Sequence, residues 1–319
     1  MRSIVAVAFA ALMALPACAG TTVSPDRGSD ASASLDDASP THPIPQSALP
    51  SASASPPPSA TPSSLPTAAP SRAAADSLLG ELAAADDAAG LAAQIEAAER
   101  AIRADGTDPA RLERAGRLQQ LAYRRLSREA GLRERVAALL ADDLRSIADA
   151  NVRAGEQLRS TVTSGAELPE WTIVEPAPPD QLLAHYREAQ ESFGVGWEYL
   201  AAIHLVETRM GRIRGDSVAG AQGPMQFMPQ TWDAYGQGDV HDNRDAILAA
   251  ARYLADHGAP GDMPRALWHY NHSDAYVAAV SAYAEQMRAD PRVFYGYYHW
   301  QVFFATAEGD VLLEVGYPN

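Results

Sequence analysis

"LAAIHLVETRMGRI", residues 200–213, is an apolar helical stretch that ends by setting a carboxylate on its greasy side. At 3.6 residues per turn Leu200, Ile203, His204 and Glu207 share one stripe, the face that should meet a core, whereas Glu198 falls on another part of the surface. An ionised carboxylate in an apolar setting is costly unless paired. Glu207 is therefore either neutralised by a partner or kept partly protonated for use. Arg209 and Arg212, at the end of the same helix, are the basic residues within reach. Trp197, Leu200 and Ile203 are candidates for an apolar surround that would raise a carboxyl pKa, and Gly211, one turn on, would leave a space above the carboxyl.

Immediately downstream, "AGAQG" (219–223) is small and flexible enough for backbone to approach a ligand closely, and "PMQFMPQTW" then begins a helix. Helices are expected over 180–193 with Asp180 as cap, 196–211, 223–235, 243–257 and 273–289. Asp242 or Asn243 should cap the fourth of these and Gly258 should follow it. All five Trp and ten of the twelve Tyr lie between Glu170 and Leu312, which marks the compact domain. In the last 30 residues the period changes: Tyr298, Trp300, Val302 and Phe304 alternate with their neighbours, "AEGD" reads as a turn and "VLLEV" alternates again, predicting a β-hairpin laid on a helical body.

Upstream, residues 75–162 are rich in Ala, Leu, Arg and Glu and predict three helices, about 75–104, 109–129 and 131–160, the second with Asp108 as cap and Pro109 at its first position. Leu112, Leu118, Leu121 and Leu126 supply an apolar stripe. Such a helical spacer should pack on something else or pair as a coiled coil, and so has a candidate protein partner. "TSGAELPEWTIVEPAPPD" (163–180) forms a proline-rich boundary.

Eleven of the 23 prolines lie between Pro25 and Pro70 in a Ser/Ala/Thr/Asp-rich run that cannot bury enough apolar surface to offset its ordering entropy, so residues 19–74 read as a disordered tether. Some 50 residues of coil would span on the order of 40 Å. Residues 1–18 have the outline of an export signal: one Arg, an apolar run from Ile4 to Leu15, then small residues. "LPAC" resembles a bacterial lipobox, which would make Cys18 the lipidated first residue and anchor the chain to a membrane. "ACA" (17–19) equally fits ordinary signal cleavage and release. Cys18 is the only cysteine, so neither cleavage leaves a disulfide or thiol nucleophile in the folded part.

All 25 basic residues are Arg, which excludes Lys-based Schiff-base or phosphate-loop chemistry, and a net charge of -15 disfavours bulk attraction to nucleic acid or an anionic membrane. Among the histidines, His241, His257, His269 and His272 lack a helical pair at ligand spacing, and "GDVHDNRD" (238–245) lacks the central glycine and terminal glutamate of a calcium loop; no metal or other cofactor is expected.

Four segments, in order and spacing, resemble the lysozyme-like (SLT-type) lytic transglycosylases of bacterial cell walls: "VETRMGRI" (206–213), "SVAGAQGPMQFMPQTW" (217–232), "AILAAARYLADHG" (246–258) and "ALWHYNHSDAYVAAV" (266–280). Together they cover about a third of the chain. "ETRMG" is closer to the membrane-bound B-type branch and "HYN" to the soluble type, with His269 where the family usually has Ala and Thr208 where it has Ser.

The resemblance implies a lysozyme-like catalytic domain (180–290); with the tether, the helical spacer, the proline-rich linker (163–179) and the C-terminal hairpin extension (291–319) read from the residues, an all-α fold is expected. It implies that Glu207 is the sole catalytic acid and base, cleaving the MurNAc-GlcNAc bond of peptidoglycan strands without water. The muramic C6 hydroxyl would close on C1 to give a 1,6-anhydro end, an exception to the two-carboxylate pattern of glycosidases. By the same resemblance Ser217, Met225 and Gln226 would line the cleft, Tyr270 would donate its hydroxyl to Glu207, and Asn271 would bind substrate or loop. The rival readings are a hydrolytic, goose-type-like muramidase on the same fold and a non-catalytic wall-binding scaffold.

Overall fold

The computed structural model describes residues 72–318 except 82, 163 and 166. The expected export signal, Cys18 and nearly all of the expected tether lie outside the described residues. Five helices come first: α1 (Arg72–Leu79), α2 (Ala88–Arg103), α3 (Pro109–Leu126), α4 (Ala130–Ala137) and α5 (Asp142–Ser160). After them run β1 (Thr172–Ile173), α6 (Pro179–Phe193), α7 (Trp197–Thr208), β2 (Ile213–Arg214), α8 (Pro229–Tyr235), α9 (Asn243–Asp256), α10 (Met263–Tyr270), α11 (Asp274–Ala289) and α12 (Val293–Tyr298). The antiparallel hairpin β3 (Val302–Thr306) and β4 (Gly309–Leu313) closes the chain, with Val302 opposite Leu313 and Thr306 opposite Gly309. The molecule is thus mostly helical with a small C-terminal hairpin. Among the described residues no helix is long and apolar enough to cross a membrane.

Local chemistry sets most helix starts. Asp108 accepts a hydrogen bond from the Arg111 N–H at 3.1 Å with Pro109 in the first turn, and Asp242 accepts from Asp245 N–H at 3.0 Å. Both match expectation. Asp180 does not cap α6; it lies in the first turn, behind Pro178 and Pro179, and accepts a bond from the Tyr295 hydroxyl at 2.8 Å. The first expected spacer helix is broken: Gly80 ends α1, and Asp87 starts α2 by accepting from Gly90 N–H at 2.8 Å, because a short acidic side chain competes for backbone donors. The third is broken at 138–141, where Asp142 and Asp143 favour a new N-terminus. Helix α10 is an addition, begun by Asp262 accepting from Arg265 N–H at 3.1 Å.

Alternation is correct from Trp300 to Phe304, since Trp300, Val302 and Phe304 are buried, but Tyr298 belongs to helix α12. The tight turn between β3 and β4 keeps Gly309 at φ 134°, a conformation that favours glycine.

The expected spacer does not stand apart. Residues of α2 to α5 (Leu91, Ile95, Leu126, Leu144, Val152) and of α6 to α12 (Leu182, Leu200, Ile203, Leu254, Phe294) belong to one hydrophobic core, and the described residues cluster as one compact unit. Polar contacts reinforce the join: Tyr297 donates to Asn151 Oδ1 at 2.6 Å and Trp300 Nε1 to Gln119 Oε1 at 2.9 Å. Gln119 in turn donates to buried Glu99, which also receives Tyr123 and Arg103. The proline-rich boundary is docked too, β1 pairing with β2 and Trp171 and Ile173 packing with Val302, Phe304 and Leu313. The spacer's apolar stripe finds its partner within the same chain, which proline content alone does not reveal.

Candidate functional site

Helix α7 is buried almost all round rather than on one stripe; Leu200, Ala201, Ile203, His204 and Leu205 are fully enclosed. Glu198, expected at the surface, is 8% exposed and receives Arg288 Nε at 2.8 Å from α11. The helix stops at Thr208, three residues before the expected end. Arg209, Met210 and Gly211 follow with φ of 54°, 61° and 82°, a left-handed run that non-glycine residues adopt only at a cost of about 1–3 kcal/mol each. Two of these three residues have side chains, so the turn is over-determined by packing, and Glu207 sits one residue before the helix ends.

Glu207 is partly exposed. Burial pushes its carboxyl up to about 7, and a hydrogen bond from Tyr276 pulls in the opposite direction. The Tyr276 hydroxyl donates to Glu207 Oε1 at 2.7 Å. Pairing with Arg212 does not occur: that guanidinium meets Glu175 Oε2 at 3.2 Å and the Tyr298 carbonyl at 3.2 Å. Arg209 turns back to donate to the Leu205 carbonyl. Of the two readings of a carboxylate on this face, partial protonation is the one the geometry favours.

Tyr270 does not donate to Glu207. Its hydroxyl bonds the Met225 carbonyl at 2.6 Å, while its ring lies parallel to that of Tyr276, 6.5 Å between centroids and 8° between planes. Tyr276 therefore holds the place expected of Tyr270. It lay inside a motif already singled out, and one signal could have found it: Ser273 caps α11 by accepting from Tyr276 N–H at 3.3 Å, which puts Tyr276 in the first turn on the stripe shared with Ala279, Val280 and Tyr283. Both phenols are held well above the usual range, mainly by burial and then by the neighbouring Glu207 charge, so each is a donor and never an anion at ordinary pH.

The loop before α8 is irregular where a helix from 223 was expected. Gln222 and Phe227 exchange backbone hydrogen bonds at 2.8 Å each way, with Gly223 at φ 72° and Gln226 at φ 52°. Thr208 Oγ1 donates to the Pro224 carbonyl at 2.6 Å and accepts from Gly211 N–H at 3.1 Å. The loop is therefore pinned on one side beside Glu207 and on the other by Tyr270. Met225 is fully buried, and its carbonyl accepts the hydrogen bond from Tyr270. Gln226 is partly exposed, its amide donating to Gly223 O at 2.9 Å. Ser217 is buried and its hydroxyl accepts from Ala221 N–H at 2.9 Å, a bond that shapes the loop. Asn271, partly exposed, follows α10.

Gly211 does not open a space above Glu207. A side chain there would meet His204 Nε2 at 3.2 Å and Asn243 Oδ1 at 3.1 Å. Of the histidines without a helical pair at ligand spacing, His257 and His269 have rings 4.7 Å apart, and His272 lies 4.4 Å from the Trp268 ring. Among the described residues no three His, Cys, Asp or Glu side chains are placed to hold a metal ion.

One stretch of 77 residues is 40% identical to the membrane-bound lytic murein transglycosylase F of Thiobacillus denitrificans, covering 24% of this chain and 16% of that protein. This is a partial likeness at the level of a family relationship. No family model matches the chain, and no solved structure matches it.

Proposed function

We propose that this protein is a peptidoglycan lytic transglycosylase with a lysozyme-like catalytic region and Glu207 as its single acid and base. The observation that carries the reading is the Glu207 carboxyl: partly exposed, raised to about 7 by burial, and held on one oxygen by Tyr276. The partial likeness to a lytic murein transglycosylase supports the substrate class.

A carboxyl with a pKa near 7 is protonated in a large share of molecules at neutral pH and so can act as a general acid. Glu207 gives its proton to the glycosidic oxygen between MurNAc and GlcNAc, and the bond from that oxygen to C1 breaks. The muramic C6 hydroxyl then adds to C1 and returns its proton to the Glu207 carboxylate, closing the 1,6-anhydro ring with no water consumed. The muramic N-acetyl group stabilises the charge at C1 between the two steps. Tyr276 fixes the carboxyl's orientation and stabilises the anion that forms between them. The Gln226 amide, the Asn271 side chain and the loop shaped by Ser217 border the sugar. The export signal, with Cys18 as lipid anchor, and the 19–74 tether would place this activity in the cell envelope.

Digestion of purified sacculi followed by mass spectrometry of the released muropeptides tests the proposal. Anhydro ends are expected from the wild type and none from Glu207→Gln. Products heavier by one water would assign hydrolysis instead. Binding without cleavage in both proteins would assign a scaffold.

A further inference from the structure

A cavity of about 380 Å³, with Glu207 not among its lining residues, opens between α3, α5 and the β3–β4 hairpin. In a chain of net charge -15, four of the 25 arginines line it: Arg124, Arg128, Arg159 and Arg209. Two carboxylates, Asp310 and Glu308, line it as well. Asp310 takes Arg124 and Arg128 on Oδ2 and lies 3.9 Å from Arg159 through Oδ1, while Glu308 is exposed on the hairpin turn at the rim. Asp310 is thus shared by three guanidinium groups, with its side chain 8% exposed.

A clasp that only fastened the hairpin to the helices would need one of those arginines. Three on a single carboxylate leave positive charge in excess in a partly desolvated space, which is unfavourable unless an anion joins them. Two further features point the same way. Arg159 Nε is buried and has no hydrogen-bond partner, although the guanidinium reaches Ser127 Oγ through Nη2 at 3.4 Å. Burial and the neighbouring cation hold the guanidinium of Arg159, beside Arg128, and that of Arg128, beside Arg125, below the ordinary arginine range. The remaining walls include the side chains of Gln120 and Asn151 and the rings of Tyr123, Tyr283 and Trp300, surfaces suited to an organic body behind an anionic head.

We infer that this cavity is a ligand site for a small organic oxyanion, a carboxylate or phosphate group held by the forks of Arg128 and Arg159 beside Asp310. Planar guanidinium groups match both head groups by paired N–H donors. The site is separate from the proposed cleavage chemistry and does not depend on it.

Calorimetric titration and thermal melts of the full chain with glutarate and with inorganic phosphate, ionic strength balanced with chloride, test the inference and separate the two head groups. Saturable binding of at least one is expected, with a rise in melting temperature that chloride does not give. Arg159→Gln should weaken it by roughly tenfold, the loss of one charge-assisted pair. Asp310→Asn, which removes the competing internal carboxylate, should tighten it, and Glu207→Gln should leave it unaltered. The inference is overturned if neither anion binds saturably up to tens of millimolar, or if folded Arg159→Gln binds as the wild type does. Should Arg159→Gln fail to fold, unchanged or weaker binding by Asp310→Asn overturns it in the same way.

Discussion

At the scale of single residues the decisive group is Glu207, whose carboxyl is destabilised as an anion by its own position. Its folded pKa of about 7 lies above the ordinary 4.5, so the folded state binds more protons than the unfolded state between those values. Stability attributable to this group is greatest below pH 4.5 and falls as pH rises toward 7. Glu207→Gln should therefore stabilise the fold at pH 8 by about 1–3 kcal/mol and hardly at pH 4.5, while lowering sacculus cleavage by roughly 10²–10⁴-fold. Melts of both proteins at the two pH values check this; a stabilisation independent of pH would contradict it. Tyr276→Phe removes the bond that lowers the Glu207 pKa. The alkaline limb of the activity profile should move to higher pH, with a loss of about ten- to a hundredfold in rate. An unmoved limb would show that Tyr276 is structural only.

At the scale of elements, the site depends on how helices end and approach. Ser273→Ala deletes the cap that orients the first turn of α11, and should cost about 1 kcal/mol together with a loss of cleavage rate, because Tyr276 sits in that turn. The contact of α3 with α12 is set by glycine. A methyl at Gly116 would run into the Gly296 carbonyl and come 2.9 Å from His299 Cβ, and one at Gly296 would come 2.8 Å from Ile102 Cδ1. Gly116→Ala should destabilise by about 1–3 kcal/mol, read from denaturant unfolding, despite the better helix propensity of alanine. Helix α7 shows the limit of periodicity: a single apolar stripe is expected from its spacing, but the helix is buried almost all round, and Glu198 is paired with Arg288, 90 positions away.

For the whole molecule, the shared core makes the helical N-terminal part indispensable. Deleting residues 72–162 strips α11 and α12 of the helices they pack on, and takes Asn151 from Tyr297 and Gln119 from Trp300. A chain of 163–319 should show no cooperative melt; a sharp transition in its circular dichroism would refute the shared-core account. Two histidines, fully buried His204 and partly buried His299, bound the fold on the acid side. Burial holds His204 down to about 3 and His299 to about 4, below the ordinary 6.5, so the stability they carry is present above 6.5 and is lost as pH falls toward those values. Melting temperatures should decline below pH 6.5.

What the chain determines locally was legible from residues: the caps of Asp108 and Asp242, the hairpin through Trp300, Val302 and Phe304, and the position of a carboxyl on an enclosed face at Glu207. These depend on neighbours within a turn or two. The choice of Tyr276 over Tyr270 as the donor to Glu207, the left-handed end of α7, the burial of Met225 and the packing of residues 72–162 into the main core were decided only by tertiary structure. Each depends on groups tens of positions apart, and side-chain reach and desolvation at such contacts are fixed by packing, which no local pattern records.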